Sequence, residues 1–328
     1  MQNLGTLDNR YTLLLLAFNN INRSYYIARD NQNQIQYIIA IKRNDYHDKN
    51  NEFPANEINI LNILHNVNNP YILRLVNYGN GPLILQNEQP RNVAYLVFED
   101  AYINFSLHDC LTLGRFQERH AKLIFKKILN GIQAIHNANI CHRGIHTDNI
   151  IFDDAYNPKI YSFDFSCLNA NNLQERVGTD KYMAPEILSN KPYDGILSDI
   201  FSLGQLLFSM VTQMQGFQVA TIKDKFYSLI MKRHFDIYWK LFDDHNLNLS
   251  QSFKDLYMRM VAFEPKKRPT IEEILNSEWM QEINNLNEAQ LNALENEIRQ
   301  ELHFRTWQLM REFVQNNDNQ QHDYKSNK

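Results

Sequence analysis

Lys42 closes the apolar run Ile39-Ala40-Ile41, and Glu57 follows on the one helical stretch of the first hundred residues. A cation and a carboxylate so placed could pair with each other or attend an anionic ligand, although a lysine at a strand end is just as ordinarily a solvated side chain that buries only its stem. Three polar groups follow in order. They are Cys141-His142-Arg143-Gly144 with Asp148-Asn149 close behind, Ser162-Phe163-Asp164, and Gly178-Thr179 ahead of Ala184-Pro185-Glu186. Histidines, carboxylates and a carboxamide are the side chains with which proteins move protons and hold hard cations such as Mg²⁺. Asp199 and Arg268 complete the set.

Those residues need a frame. Tyr11–Phe18, Tyr25–Arg29, Gln36–Lys42, Tyr71–Val76 and Ala94–Glu99 carry the β-branched and aromatic content that strands favour. Pro54 to His65 is the helix among them, with Ile58, Leu61, Ile63 and Leu64 near helical spacing. After Asp100 the pattern turns helical: Phe116–Asn139, Leu197–Gln213, Gln251–Val261 and Ile271–Met280 each show an apolar period close to 3.6. A strand-rich part followed by a helix-rich part predicts a two-lobed α+β protein with a cleft at the junction.

Composition sets the outer limits. With 328 residues, 44% hydrophobic and 12% aromatic, the chain has ample material for a core, which excludes wholesale disorder. A net charge of −4 is too near balance for a phosphate-tracking or membrane-seeking surface, so neither nucleic acid nor membrane is an expected partner. Cys110, Cys141 and Cys167 are widely spaced and odd in number, so no disulfide framework or Cys-x-x-Cys metal site is read from them. A reducing, cytoplasmic compartment is expected, with nuclear residence left open. The early apolar run Leu13–Phe18 is far short of a membrane span and has neither a basic leader nor a cleavage site. Clusters such as Asn66-Val67-Asn68-Asn69 read as coding bias tolerated in turns.

From Tyr11 to Met280 the chain resembles eukaryotic protein kinases, because its polar groups occur in the order of that family's signature set, extended by Ser198-Asp199-Ile200-Phe201-Ser202-Leu203-Gly204 and Arg268-Pro269-Thr270. Gly178-Thr179-Asp180-Lys181-Tyr182 is similar to the serine/threonine branch, and the helical end to calcium/calmodulin-dependent-kinase-like members. The resemblance implies a small β-rich lobe and hinge over 1–101, a helical lobe over 102–280, an amphipathic extension over 281–314 and a polar, disordered tail over 315–328. It also implies a nucleotide pocket built from Ala40, Lys42, Glu57, Ile151 and the hinge backbone at Glu99 and Ala101, with Lys42 and Glu57 as an ion pair.

Three departures empty that pocket of chemistry. Phe18, Asn20 and Arg23 stand at the three positions where the family's phosphate loop has glycines, and Tyr25 stands at its valine. His142-Arg143-Gly144 replaces His-Arg-Asp, so no carboxylate is left to orient a substrate hydroxyl. His146 stands at the position of the lysine that follows in the family, and Thr179 loses both partners it would have had. Ser162-Phe163-Asp164 replaces Asp-Phe-Gly, and Asn149 alone cannot hold Mg²⁺. Asp164 is two residues from the metal position and Asp148 reads as a solvated loop carboxylate.

What the resemblance leaves is architecture. His142, Phe163, Leu61, Leu75 and Asp199 match a buried column joining the lobes, and Glu186 with Arg268 matches a buried ion pair. Arg143, which would pair a loop phosphate, is expected to bond backbone carbonyls, since the segment before Gly178 has no Ser or Thr in its middle. The resulting expectation is a pseudokinase: an inactive kinase-fold scaffold or allosteric partner of an active kinase or other signalling protein, requiring no cofactor and binding ATP weakly. The alternative is an atypical active serine/threonine kinase that shifts metal and base duties to Asp164, Asp148 or the substrate. Beyond Met280, Leu291, Leu294, Ile298, Leu302, Leu309 and Phe313 predict a helix over Glu288–Val314, docked on the large lobe or else held out to a partner.

Overall fold

Strand-forming residues at the start of the chain fold into a closed barrel. The structure is a computed structural model that describes residues 3–19, 23–42, 55–99, 105–242, 245 and 247–326, with side chains to 311. Strands β1 (Gly5–Leu7), β2 (Tyr11–Asn19), β3 (Arg23–Asp30), β4 (Gln36–Lys42), β5 (Leu75–Leu85) and β6 (Arg91–Phe98) close in the order β1-β2-β3-β4-β6-β5. The short β1, which the sequence pattern does not announce, pairs antiparallel with both β2 and β5 and removes their free edges. Tyr37, Ile39 and Ile41 of β4 point into the barrel with Tyr11, Tyr95 and Val97, while Ile38 and Ala40 point the other way into the main core. A strand buried on both faces reads as a continuous apolar run, and β4 does.

Helix α1 (Ala55–Val67) lies outside the barrel and buries Glu57, Ile60, Leu61 and Leu64. The strand expected at Tyr71 begins instead at Leu75, because residues 71–73 bond to Ile160 of the large lobe: Tyr71 O accepts from Ile160 N and Leu73 N donates to Ile160 O. That exchange ties the lobes together through main chain.

The large lobe is built from α2 (Leu107–Thr112), α3 (Glu118–Asn137), the strand pairs β7 (Ile140–Cys141) with β10 (Cys167–Leu168) and β8 (Ile150–Phe152) with β9 (Pro158–Ile160), and then α4 (Pro185–Leu188), α5 (Gly195–Thr212), α6 (Lys225–Met231), α7 (Phe235–Lys240), α8 (Gln251–Met260), α9 (Ile271–Leu275) and α10 (Gln281–Asn284). Asp194 caps α5 by accepting from the N–H groups of Ile196 and Leu197. By length and composition α5 could cross a membrane, but it is 83% buried and forms the axis of the lobe. The helix expected over Ile271–Met280 breaks after Leu275, where Asn276 and Ser277 lead into a 3₁₀ turn over Glu278–Met280.

Helix α11 (Glu288–Ser326) docks on the large lobe with Leu294, Ile298 and Leu302 buried, while Leu309 is only half-buried. It continues to Ser326 where a disordered tail was expected: from Glu288 to Ser326 there is no glycine or proline to stop a helix. Polar contacts reinforce the seam. His120 of α3 meets Glu301 at 2.5 Å and Glu297 at 3.5 Å, one carboxylate on each ring nitrogen. The Glu301 bond raises the His120 pKa against the opposing effect of burial. The sign follows directly: with the folded value above the unfolded value of about 6.5, the contribution is full below that pH and is lost as pH rises through the folded value. Melting temperatures measured across this range should show wild type losing a low-pH advantage that His120→Gln lacks, and parallel curves would refute the assignment.

Candidate functional site

The turn from β7 into the loop at 142–149 is organised by Asp199 of α5. Its carboxylate, fully buried, accepts from the backbone N–H groups of His142 and Arg143 at 2.8 Å each and from His136 Nε2 at 2.9 Å. His142 is also fully buried, and burial pushes its pKa down to about 4, so the ring is neutral. Its Nε2 donates to Tyr161 O and its Nδ1 accepts from Gly144 N–H, which assigns the tautomer. Arg143 and Ser162 both hold positive φ, 58° and 67°, a left-handed backbone that non-glycine residues adopt at some cost.

At Gly144 the nearest neighbours of a Cβ would be His142 at 3.5 Å and Asn149 at 3.6 Å, ordinary contacts, so the space would accept a side chain. Asn149 Nδ2 donates to Gly144 O and to His146 Nε2, both at 2.8 Å, and His146 Nδ1 faces Asp148 at 3.2 Å. Burial would raise the Asp148 carboxyl, but the His146 bond together with the charges of His146 and His108 outweighs it and holds the group below its usual range. Asn149, His146 and Asp148 thus satisfy one another.

Arg23 is the residue whose role the sequence did not reveal. It opens β3 directly opposite Lys42 in the β3–β4 register, so both side chains leave the sheet on the same face. The expected Lys42–Glu57 pair is not the one formed: among the described residues it is Arg23 that donates to Glu57, at 2.7 Å, and the same guanidinium nitrogen reaches Asp164. Asp164 also accepts from Ser162 Oγ at 3.0 Å. The proposed displaced metal ligand is therefore occupied by a cation of the chain itself. Burial is the largest single effect and would lower the Arg23 pKa, but the charges and hydrogen bonds of Glu57 and Tyr25 together outweigh it and the guanidinium stays protonated.

Aromatic rings complete the closure. Phe18 stacks on Tyr25 with centroids 4.3 Å apart, and Tyr161 meets both edge-on at 6.1 and 5.9 Å. Ala40 and Ile151, which would touch a purine, are at most 1% exposed. Glu99, at the start of the hinge, is tied by its N–H to Arg74 O and by its carboxylate to the Arg74 guanidinium. Asn20 and Ala101 lie outside the described residues. An open groove of about 750 Å³ lies elsewhere, on the large lobe, against Ile230, Trp239, Met258 and Phe263.

The activation-segment side of the site is held by Arg143. Its Nε donates to Phe165 O, as expected of a carbonyl-bonded arginine, but Nη1 also donates to the Glu175 carboxylate at 2.7 Å and to Tyr193 OH at 3.3 Å. Burial is the largest single effect and would lower the Arg143 pKa, but the bonds to Glu175 and Tyr193 with the charges of Cys167 and Tyr193 together overcome it, so the cation is firmly paired. A carboxylate of the chain is thus a partner of this arginine. The Gly178 N–Cα bond has φ of 109°, and a Cβ there would come within 2.8 Å of Arg143 O, so this close approach requires glycine.

Residues 25–280 match the family of the protein kinase domain, well over half of the chain. The chain belongs to that family. It is similar to serine/threonine-protein kinase SRK2C of Arabidopsis thaliana, 33% identical over 173 residues that cover 51% of this chain and 49% of that protein. It is also similar to the probable serine/threonine-protein kinase HSL1 of Saccharomyces cerevisiae, 31% identical over 223 residues covering 64% and 14% respectively, and to sperm motility kinase Z of Mus musculus, 28% identical over 214 residues covering 64% and 41%. The chain spans about half the length, or less, of these curated relatives. Its branch is the serine/threonine one, and its architecture is the two-lobed α+β kinase fold.

Within that family frame the joining elements are intact. Leu61, Leu75 and Phe163 are buried in one continuous apolar core that spans both lobes, and the His142 ring lies 5.0 Å from that of Phe163. Arg268 is bidentate to Glu186 at 2.7 and 2.8 Å and also donates to Leu197 O and Ala262 O. Two further residues escaped sequence reasoning: Cys141 and Cys167, whose wide spacing and odd number allowed no disulfide framework to be read, bring their sulfur atoms to 3.2 Å across β7 and β10.

Proposed function

We propose that this kinase domain is a pseudokinase, a signalling scaffold or allosteric partner whose cleft is closed by its own side chains. The observation that carries the reading is Arg23, a protonated guanidinium buried between Glu57 and Asp164. A Mg²⁺–nucleotide does not fit beside it. The cation already neutralises the one carboxylate that could replace the missing metal ligand, Ser162 supplies only a hydroxyl, and Phe18, Tyr25 and Tyr161 fill the roof and back of the purine site. With Gly144 in the loop, no carboxylate faces a substrate hydroxyl there either.

An atypical active kinase would need Asp164 or Asp148 for these duties, and both are engaged, by Arg23 and His146 respectively. The fold still offers two rigid lobes and an activation segment ordered by Glu175 without phosphate, which suits a protein partner such as an active kinase. A reducing cytoplasmic setting belongs to the same reading.

Purified protein incubated with radiolabelled ATP and either Mg²⁺ or Mn²⁺ should transfer no phosphate to protein substrates. Positioning and electrostatics supply nearly all phosphoryl-transfer catalysis, so these combined losses should cost many powers of ten. In parallel, ATP should give little thermal stabilisation, with no dependence on Mg²⁺; a bound ligand at 100 times its Kd would contribute about 2.7 kcal/mol and be seen. Robust incorporation that disappears in Lys42→Met would overturn the proposal.

A further inference from the structure

Cys141 ends β7, Cys167 begins β10, and the two face each other directly in the antiparallel register. Opposed residues on antiparallel strands have Cα atoms about 4.5–5.5 Å apart, inside the window of about 4.4–6.8 Å that disulfides span. The backbone therefore has no distance to travel. The sulfur atoms are 3.2 Å apart, Cys141 is fully buried, and Cys167 is within reach of solvent. Behind the pair, Gly195 leaves room for the thiol, since a Cβ there would sit 2.4 Å from Cys141 Sγ.

The electrostatics divide the two roles. A hydrogen bond from the Cys141 thiol brings Cys167 down to about 7 against burial, with help from the charge of Arg143, while the same bond and burial push Cys141 far up. The nucleophile is then the exposed sulfur and the resolving thiol is the buried one. Cys110 provides an internal contrast: it is buried against α11 and burial pushes its thiol up to about 12.

We infer that Cys141 and Cys167 are a peroxide-oxidisable dithiol whose disulfide staples the strand ahead of the 142–149 loop to the root of the activation segment. The Cys167 thiolate attacks one oxygen of a hydroperoxide, the O–O bond breaks, and Cys167 becomes a sulfenic acid as hydroxide leaves and takes up a proton. The Cys141 sulfur then attacks the Cys167 sulfur, and the S–O bond breaks as the hydroxyl leaves with the Cys141 proton as water. Two thiols lose two electrons and two protons, and hydrogen peroxide is reduced to two waters. The bridge makes covalent a junction that Arg143 otherwise holds by hydrogen bonds to Phe165 and Glu175. Thiol exchange reverses it in a reducing compartment, so it would register oxidant pulses.

The full chain should be treated with hydrogen peroxide, blocked with N-ethylmaleimide and digested without reductant. The expected product is a peptide pair joined through Cys141 and Cys167, lighter by two hydrogens and separated by dithiothreitol, with Cys110 alkylated only after unfolding. Cys141→Ser should accumulate a Cys167 sulfenic acid that dimedone traps, and Cys167→Ser should form no link. Tryptic cleavage after the exposed Arg176 should slow severalfold in the oxidised protein. Failure of the linked peptide to form, or oxidation of Cys110 ahead of Cys167, overturns the dithiol; a linked chain cleaved as fast as the reduced one overturns the staple.

Discussion

Arg23→Ala should destabilise the folded chain by about 3–5 kcal/mol, measured as a shift in urea midpoint at unchanged slope. Glu57 is 2% exposed and its hydrogen-bonded cation is Arg23, so truncating the arginine strands a buried carboxylate. The cost of breaking such a pair comes from the charge left behind rather than from the worth of the pair. Arg23→Met combined with Glu57→Gln and Asp164→Asn should therefore recover much of the loss, because all three charges of the cluster are then removed. Arg23→Lys should fall between them: an ammonium keeps the charge, but on a stem of different length and without the planar Nη2 that meets Glu57 and Asp164 together. A loss below about 1 kcal/mol for Arg23→Ala, the size of an exposed salt bridge, would show that the lock contributes little.

The same residue shows where sequence reading stops. What the family resemblance covers was legible: the run ending at Lys42, the acid at Asp199, and the pairing of Glu186 with Arg268 across 82 positions, because each stands at a position of the signature set. Arg23 was legible only as a lost glycine. Its partners lie 34 and 141 positions away, and they meet only once the hairpin register sets Arg23 opposite Lys42 and α1 swings Glu57 beneath it. Cys141 and Cys167 were missed for the same reason, since they stand 26 positions apart with β8 and β9 between them, which conceals a direct cross-strand pairing. Glu175 belongs to no motif, and only the folded segment brings it to Arg143. The three-residue β1 was too short to show a period, and its existence depends on the closing of the barrel around it.

Removal of residues 288–328 should lower stability by several kcal/mol, a large part of the 5–15 kcal/mol or so that separates folded from unfolded chains. Leu294 and Leu302 are fully buried and Ile298 nearly so, each contributing about 1.5–3 kcal/mol. Arg305 adds a polar anchor: it donates to the carbonyls of Cys110 and Gly114 at 2.5 Å and of Arg115 at 2.9 Å, pairs with Glu301, and lies 4.4 Å above the Phe116 ring. Those carbonyls close the turn between α2 and α3, so truncation exposes apolar surface and leaves backbone acceptors unmet at once. Because the truncated chain could fail to fold at all, two point variants carry the test. Leu302→Ala should cost about 2–5 kcal/mol as a core cavity. Arg305→Ala should cost about 1.5–3 kcal/mol for its charged hydrogen bonds. Phe304 and Trp307 face solvent on the same helix, so Trp307→Ala should leave the melting temperature unmoved. Melting temperatures for Leu302→Ala and Arg305→Ala that match wild type would mean that the helix does not hold the lobe in solution.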